Sequence, residues 1–418
     1  MKILVVGSGA REHALVWSLS QDASVTELHA APGNPGIAEH ARLHPCDITI
    51  PNEIADLAEA LKVDLVVIGP ELPLVAGAAD AIRARGIACF GPSALAARIE
   101  GSKAFAKEIM NAAGVPTSRS RTCQTLGEVG QALDEFGAPY VVKDDGLAAG
   151  KGVVVTSDRE IALAHAAGCR SVVVEEFLDG PEISLFGITD GETVLALEPA
   201  QDFKRIGDGD TGGNTGGMGA YSPLPWAPSN LVERVRTEIL QPTIDEMRRR
   251  DTPFVGLLYA GLALTSEGLK VIEFNARFGD PETQVLLARL RTPLAGVLYR
   301  AATGSLKNEP ALDFSSDAAV SVVIASSGYP GEIRTGDEIS GLADAKALGA
   351  VVFQAGTRNE GKRLLSSGGR VLSVTGLGKD LTAARAVAYR GVDAIVLANS
   401  VHRSDIALAV AQDSTSRR

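Results

Sequence analysis

Met1-Lys2-Ile3-Leu4-Val5-Val6-Gly7-Ser8-Gly9-Ala10-Arg11-Glu12-His13-Ala14-Leu15 opens the chain and carries the pattern of an α/β fold. Lys2–Val6 is a β-rich run closed by Gly7-Ser8-Gly9, and a helical pattern follows through Ala14, Leu15 and Leu19. A strand–glycine–helix junction aims backbone amides at one spot with a positive helix end behind them, which suits an anion. It is not a full dinucleotide fingerprint, because Glu12 stands at the third Gly position, where a charged side chain hinders close packing around a pyrophosphate. After the next strand comes His29-Ala30-Ala31-Pro32-Gly33, with no convincing ribose-binding acid. A non-nucleotide phosphate site, with Arg11 and His13 assisting, is favoured over an NAD site and over a purely structural turn.

Beyond this junction, strand-like runs recur at Thr26–Ala31, Asp64–Ile68 and Ile87–Phe90, with helical patterns such as Ile54–Leu61 between them. This alternation predicts a parallel sheet with helices on both faces, ending near Glu100. Gly101–Ala113 reads as a helix. Tyr140–Lys143, Gly152–Thr156 and Ser171–Glu176, with a helix around Glu160–Ala167, read as a small inserted sheet. Glu182–Ile188 and Val194–Leu197 continue with strands, Leu231–Arg250 is helical, and Leu257–Thr265 with Leu269–Asn275 reads as a hairpin. Asp208–Gly219 is almost all Gly, Asp, Asn and Thr and is expected to be a loop. The pattern restarts near Ala311 as a C-terminal α+β unit, with Asp413–Arg418 expected to be disordered. The expected units are therefore 1–100, 101–310 with an inserted subdomain at about 116–178, and 311–418.

The bulk numbers fit a multi-unit enzyme: 418 residues, 45% apolar, 22% charged. The net charge of −11 disfavours a nucleic-acid partner. Cys46, Cys89, Cys123 and Cys169 form no CxxC pair, as expected of thiols in a reducing compartment. His40 and His44 are joined by no further metal-type residue. No basic leader precedes the first strand and no apolar run approaches a membrane span, so a cytoplasmic chain is expected.

Three further stretches carry chemistry. Lys143-Asp144-Asp145-Gly146-Leu147-Ala148-Ala149-Gly150-Lys151-Gly152 delivers one lysine from a strand and another from a glycine loop. Glycines let amides approach phosphate oxygens, and lysine adds charge. The spacing is one residue short of a Walker A loop, and a hairpin turn with surface lysines is an equal reading. In Lys270-Val271-Ile272-Glu273-Phe274-Asn275, Val271, Glu273 and Asn275 share a strand face, and the last two offer hard oxygen ligands suited to Mg²⁺. Arg277 follows on that face, ready for a carboxylate or a transferring phosphoryl group, ahead of Asp280-Pro281-Glu282. Asp202-Phe203-Lys204-Arg205, with Asn214-Thr215-Gly216, reads as a basic pair beside a substrate-closing loop.

Taken together these segments resemble the phosphoribosylamine–glycine ligase family of ATP-grasp enzymes over nearly the whole chain. The likeness adds Ala31-Pro32-Gly33-Asn34, Gly69-Pro70-Glu71, Gly101-Ser102-Lys103 and Glu175-Glu176-Phe177-Leu178-Asp179-Gly180. The resemblance implies an α/β protein with a Rossmann-like, pre-ATP-grasp N-terminal domain, an ATP-grasp α+β core with a small lid subdomain, and a C-terminal α+β domain. It implies ATP held by Lys103, Lys143, Gly150, Lys151 and Gly152 at its phosphates, by Glu175, Glu176 and Leu178 at the adenine edge, and by Glu182 at the ribose. Glu273 and Asn275 would hold Mg²⁺, with Mn²⁺ able to replace it. Asp202, Lys204 and Arg277 would serve catalysis. Gly9, Arg11, Glu12, His13, Asn34, Pro70, Glu71, Asn214, Thr215, Gly216, Asp280, Pro281 and Glu282 would meet glycine and 5-phosphoribosylamine, in an enzyme expected to be a monomer with no membrane partner. Another ATP-grasp ligase or carboxylase, or a silent homologue, are the competing readings.

Four departures from the family pattern stand out. Ser157–Val172 is short, implying a trimmed lid; Asp144 follows Lys143 where a small neutral residue is usual; and Phe203 stands where many members have His. Phe254–Thr265 contains no acid to join Glu273 at the metal.

Overall fold

The computed structural model describes residues 1–147 and 152–416. The opening stretch forms β1 (Lys2–Gly7) and α1 (Ala10–Ser20), followed by β2 (Glu27–Pro32), β3 (Arg42–Leu43), α2 (Pro51–Leu61), β4 (Leu65–Ile68), α3 (Glu71–Val75), α4 (Ala78–Arg83) and β5 (Ala88–Phe90). The strands pair in parallel in the order β3-β2-β1-β4-β5. Ile3, Leu4, Val5 and Val6 are all fully buried, as a parallel strand covered on both faces requires.

The predicted helix over 101–113 is two helices, α5 (Ala94–Gly101) and α6 (Lys103–Ala113). Ser102 between them is extended, and its hydroxyl accepts from Phe105 N at 3.1 Å, capping α6. β6 (Ser120–Cys123), α7 (Leu126–Phe136), β7 (Tyr140–Asp144), β8 (Val153–Thr156), α8 (Arg159–Ala167) and β9 (Val172–Glu175) then build a four-stranded sheet, β6-β9-β7-β8, with two helices packed on it. The short Ser157–Val172 stretch still holds a full helix, capped by the Asp158 carboxylate.

Next come β10 (Glu182–Asp190), β11 (Val194–Ala196), β12 (Gln201–Asp202), β13 (Arg205–Gly207), β14 (Thr211–Asn214), β15 (Gly219–Ser222), α9 (Leu231–Val235), α10 (Gln241–Arg249), β16 (Val255–Thr265), β17 (Gly268–Asn275), α11 (Glu282–Arg289) and α12 (Leu294–Ala302). The stretch expected to be a loop contains β14, which pairs with β13 as a small antiparallel ribbon. β17 differs from the expected alternation. Glu273 pairs with Gly261 but Val271 pairs with Leu262, so Ile272 is an extra, bulged residue. That slip turns Val271 into the core, while Glu273 and Asn275 keep a common face.

The C-terminal region comprises β18 (Ala318–Ala325), β19 (Glu338–Ser340), α13 (Leu342–Ala347), β20 (Val351–Gln354), β21 (Thr357–Glu360), β22 (Arg363–Ser366), β23 (Arg370–Gly378), α14 (Leu381–Ala394), β24 (Val396–Leu397) and α15 (Leu408–Ser416). α15 runs through residues 413–416, where disorder was expected. The main sheet here has the order β12-β15-β18-β23-β20, so the strands flanking the glycine-rich ribbon are knitted to C-terminal ones. No helix among the described residues is long and apolar enough to cross a membrane.

Candidate active site

Lys103 and Lys143, two of the lysines expected at phosphates, are held by the chain itself. Asp145 lies at the start of α6, accepting from Ser102 Oγ at 3.1 Å and Ala104 N at 3.2 Å, where a helix N-terminus favours a carboxylate. Lys103 Nζ donates to Gly146 O at 2.9 Å. Lys143 is buried, 2.9 Å from Glu175 Oε2, and donates to the carbonyl of Ile272 at 2.9 Å, at the bulge. Burial works to raise the Glu175 carboxyl, but Lys143 and Lys107 outweigh it and hold it below the usual range. Burial pushes Lys107 down to about 8 even though Glu175 lies 3.3 Å away. Glu176 pairs with Arg119 at 2.7 Å, and Leu178 lies half-buried in the connection from β9 to β10. Gly152 O accepts from Asp144 N at 2.7 Å. Gly150 and Lys151 lie outside the described residues. Asp144 has its carboxyl beside the Cys169 thiol.

At the exit of β17, Glu273 and Asn275 look onto a crevice crowded with charge. Arg277 is 3.1 Å from Glu71 Oε2 and 3.1 Å from Glu100 Oε1, and it reaches Asn275 Oδ1 at 3.4 Å. Burial works to raise Glu273, yet Lys204, Lys143, Lys103 and Arg277 hold it below the usual carboxylate range. Lys204 ion-pairs with Glu182. Burial would lower Lys204, but Asp202, Glu182 and Glu273 together carry it well above its ordinary value. Burial, with Glu282 and Glu182 adding to it against Lys204, pushes Asp202 up to about 7. Glu282 is buried and accepts from Tyr259 Oη at 2.7 Å and Ser184 Oγ at 3.1 Å.

The N-terminal junction differs from the open anion seat the sequence suggested. The Glu12 carboxylate fills it, accepting from Gly9 N at 2.6 Å and from Arg11 Nε at 2.6 Å. A Cβ on Gly69 would lie 2.2 Å from Glu12 Oε1, so the glycines here make room for Glu12. Arg11 Nη1 donates to Phe278 O at 3.1 Å. His13 and Asn34 face the C-terminal region: His13 Nδ1 accepts from Gln354 N at 2.8 Å and Asn34 Nδ2 donates to Gln354 O at 2.7 Å. Asn34 Nδ2 also donates to Ser8 O at 2.8 Å, and its Oδ1 accepts from Ile37 N at 2.9 Å, so its polar atoms are committed. Pro70 precedes α3 as its N-cap, just before Glu71.

Across the crevice, Asn214 pairs with Arg205, and Thr215 Oγ1 donates to Lys204 O at 2.8 Å. Gly216 N donates to Tyr329 Oη at 2.9 Å, and Gly216 O accepts from Arg370 at 2.6 Å. Arg370 also lies 3.4 Å from Asp280 Oδ2. Burial works to raise Asp280, but Arg370 and then Arg11 hold it low. Gly217 has φ +111°, and a Cβ there would meet Pro281 Cδ at 2.5 Å, which lets the loop lie against the start of α11. Sequence reading missed Glu100, Lys107, Ser184, Tyr259, Tyr329, Gln354 and Arg370. None sits in a local motif. The one available signal was the isolated charge of Arg370 at the start of an apolar strand.

Models of the phosphoribosylglycinamide synthetase family match the chain in three parts: the N domain at residues 1–100, the ATP-grasp (A) domain at 101–283 and the C domain at 319–409. The phosphoribosylamine–glycine ligase of Streptomyces coelicolor is 64% identical over 414 residues, covering 98% of this chain and 100% of that one. The solved structure of phosphoribosylamine–glycine ligase from Thermotoga maritima superposes with a TM-score of 0.85 at 30% identity, covering 97% and 100% of the two chains. The biotin carboxylase domain of the Hydrogenobacter thermophilus 2-oxoglutarate carboxylase, in complex with MgADP, shares the fold at a TM-score of 0.72 and 15% identity over 96% and 91%. With its sheet order, its ring of lysines and carboxylates and these likenesses in agreement, the chain belongs to the phosphoribosylamine–glycine ligase family of ATP-grasp proteins.

Proposed function

We propose that the chain joins glycine to 5-phosphoribosylamine, converting ATP to ADP and phosphate, as a step of purine synthesis. A carboxylate is a poor electrophile. Transfer of the γ-phosphoryl group to a glycine oxygen supplies a leaving group, and the amine then attacks the carbonyl carbon and expels phosphate. The observation that carries this reading is that Lys103, Lys143, Lys204 and Arg277 all stand near enough to Glu273 to hold its carboxyl below the usual range, in a chain 64% identical to a phosphoribosylamine–glycine ligase. Such a set offsets the repulsion between a nucleotide and a second anion.

The residues fit a divalent ion. Glu273 is held ionised, and no hydrogen-bond donor among the described residues meets its oxygens, with Asn275 beside it on the same face. Mg²⁺, held there by Glu273 and Asn275, would neutralise charge on the ATP phosphates. With no group of three or more His, Cys, Asp or Glu arranged for a metal among the described residues, nucleotide oxygens would complete the shell. Lys143 and Lys103, with Lys151, would face the phosphates, and Arg277 would orient the glycine carboxylate. Asp202, at about 7, suits acceptance of the proton that the amine loses on attack. The ribosyl phosphate is assigned to the start of α1, near Gly9-Ala10-Arg11, where the Glu12 carboxylate now takes Gly9 N and Arg11 Nε, so binding there requires Arg11 to turn from Glu12 to the phosphate.

ADP release measured with glycine and phosphoribosylamine together, and with each omitted, tests the reading. Release should require both. Turnover supported by bicarbonate or another amino acid, but not by glycine, would favour a different ATP-grasp ligase.

A further inference from the structure

Arg403, in the connection between β24 and α15, has a side chain only 1% exposed. Its Nε and Nη2 donate to the two carboxylate oxygens of Asp405 at 2.7 and 2.6 Å. Its Nη1 donates to Asp210 Oδ1 at 2.6 Å and to the carbonyl of Arg205 at 3.2 Å. The guanidinium carbon also sits 4.9 Å from the centre of the Phe203 ring, within cation–π range. The residues that follow extend the grip: Ser404 N donates to Asp208 Oδ1 at 2.8 Å, and Asp405 Oδ2 accepts from Gly209 N at 2.8 Å.

What is gripped is the Phe203–Asp210 segment, whose backbone is tied at Phe203 and Lys204 but which then runs into a weakly supported ribbon. The ribbon formed by β13 and β14 is two strands of mostly exposed or half-buried residues, including Gly207, Gly212 and Gly213, and an isolated two-stranded ribbon is marginal in water. Phe203 lies between Asp202 and Lys204 just past β12 and is paired through its backbone to the residues entering β15, as a strand residue is, so successive side chains there point to opposite sides. Its amide donates to Gly219 O at 2.9 Å and its carbonyl accepts from Met218 N at 2.7 Å. Phe203 therefore turns its ring to Arg403 while Asp202 and Lys204 turn to the crevice.

We infer that Arg403 is a positioning residue: stacked on Phe203 and clamped to Asp210 and Asp405, it fixes the strand that presents Asp202 and Lys204 to the reacting groups. The inference rests on the proposed ligase reading. Arginine suits the task because its planar fork bonds a carboxylate in two places while its face lies on an aromatic ring, and a lysine ammonium, with no planar fork, cannot do both at once.

The test is Arg403→Lys, assayed in the full-length enzyme by ADP release. The kcat should fall about ten- to a hundredfold, the scale of losing charge-assisted bonds, with the KM for ATP within about twofold of wild type. Phe203→Leu, which removes the stacking face and leaves the ion pairs, should reproduce the split, and it decides the matter if Arg403→Lys does not fold. Added guanidinium at millimolar concentration should restore part of the kcat of Arg403→Ala. Unchanged kcat in both Arg403→Lys and Phe203→Leu, even with a lowered Tm, would mean a purely structural residue and overturn the inference. Absence of glycine-dependent ADP release from the wild type would instead overturn the ligase reading.

Discussion

Acidification should loosen the C-terminal region from the N-terminal sheet through one residue, His13. The side chain is 3% exposed, and its Nδ1 accepts the Gln354 N–H at 2.8 Å. Burial first, then His40 and Lys346, depress it from 6.5 to about 3. A proton on Nδ1 would set donor against donor at Gln354. The folded protein therefore keeps His13 neutral, while the unfolded chain protonates it near 6.5. Between about 3 and 6.5 the unfolded state binds more protons, so stability falls as pH falls through that window and is fully present above it. Each pH step inside the window costs about 1.4 kcal/mol, so at pH 4.5 the loss reaches on the order of 2.7 kcal/mol. His13→Asn is the control, since Asn Oδ1 can stand where Nδ1 stood and does not titrate. Denaturant unfolding at pH 7.5 and 4.5 should show wild type losing about 2–3 kcal/mol more than the variant. In histidine-labelled NMR, the resonance that vanishes in His13→Asn should not titrate above about pH 4.5. A His13 signal titrating near 6.5, or equal acid losses in both proteins, would rule out His13 as the source of the acid sensitivity.

Glu273→Gln keeps the size of the side chain and removes the charge that suits a divalent ion, so turnover at limiting Mg²⁺ should drop at least about a hundredfold with the circular dichroism spectrum unchanged; near-wild-type turnover would contradict it. Lys143→Ala leaves the buried Glu175 with Lys107 and the Ser118 hydroxyl, so calorimetry should show weaker binding of an ATP analogue, with binding of the ribosyl substrate little changed and the inserted sheet destabilised by roughly 3 kcal/mol or less; unchanged nucleotide affinity would count against it. Arg11→Ala should raise the apparent constant for phosphoribosylamine by about one to two decades and leave that for ATP nearly unaltered; equal constants for both substrates would place the ribosyl phosphate elsewhere.

The parts of the molecule legible in the sequence are those written in short range. A strand buried on both faces has to be continuously apolar, so β1 announced a parallel sheet, and the hairpin of β16 and β17 was marked by Ser266-Glu267-Gly268. The break between α5 and α6 was missed although its cap, Ser102, was in view. The bulge at Ile272 has no compositional mark, yet it moves Val271 to the core and supplies the carbonyl that holds Lys143. Partners from distant segments were equally silent. Glu100 meets Arg277, Gln354 meets His13 and Asn34, and Arg370 meets Asp280 only because the units dock.

Docking also explains how so many acids stand in one crevice. Glu71, Glu100, Glu182, Asp202, Glu273 and Glu282 line it, and the cations are largely spoken for: Arg277 by Glu71 and Glu100, Lys143 by Glu175. Lys204 is shared among Asp202, Glu182 and Glu273. A fixed cation between fixed acids costs little reorganisation when charge moves nearby, which is the condition for electrostatic stabilisation of a transferring group. Burial, with Glu282 and Glu182 adding to it, raises Asp202 to about 7 against the downward pull of the shared Lys204. An acid poised there can take a proton from an amine without having been a strong base in the resting site. The position of Lys204 thus governs two properties at once, the ionised state of Glu273 and the near-neutral poise of Asp202. For that reason the strand carrying both Asp202 and Lys204 has to be held from behind, and the Phe203–Arg403 stack lies on its other side.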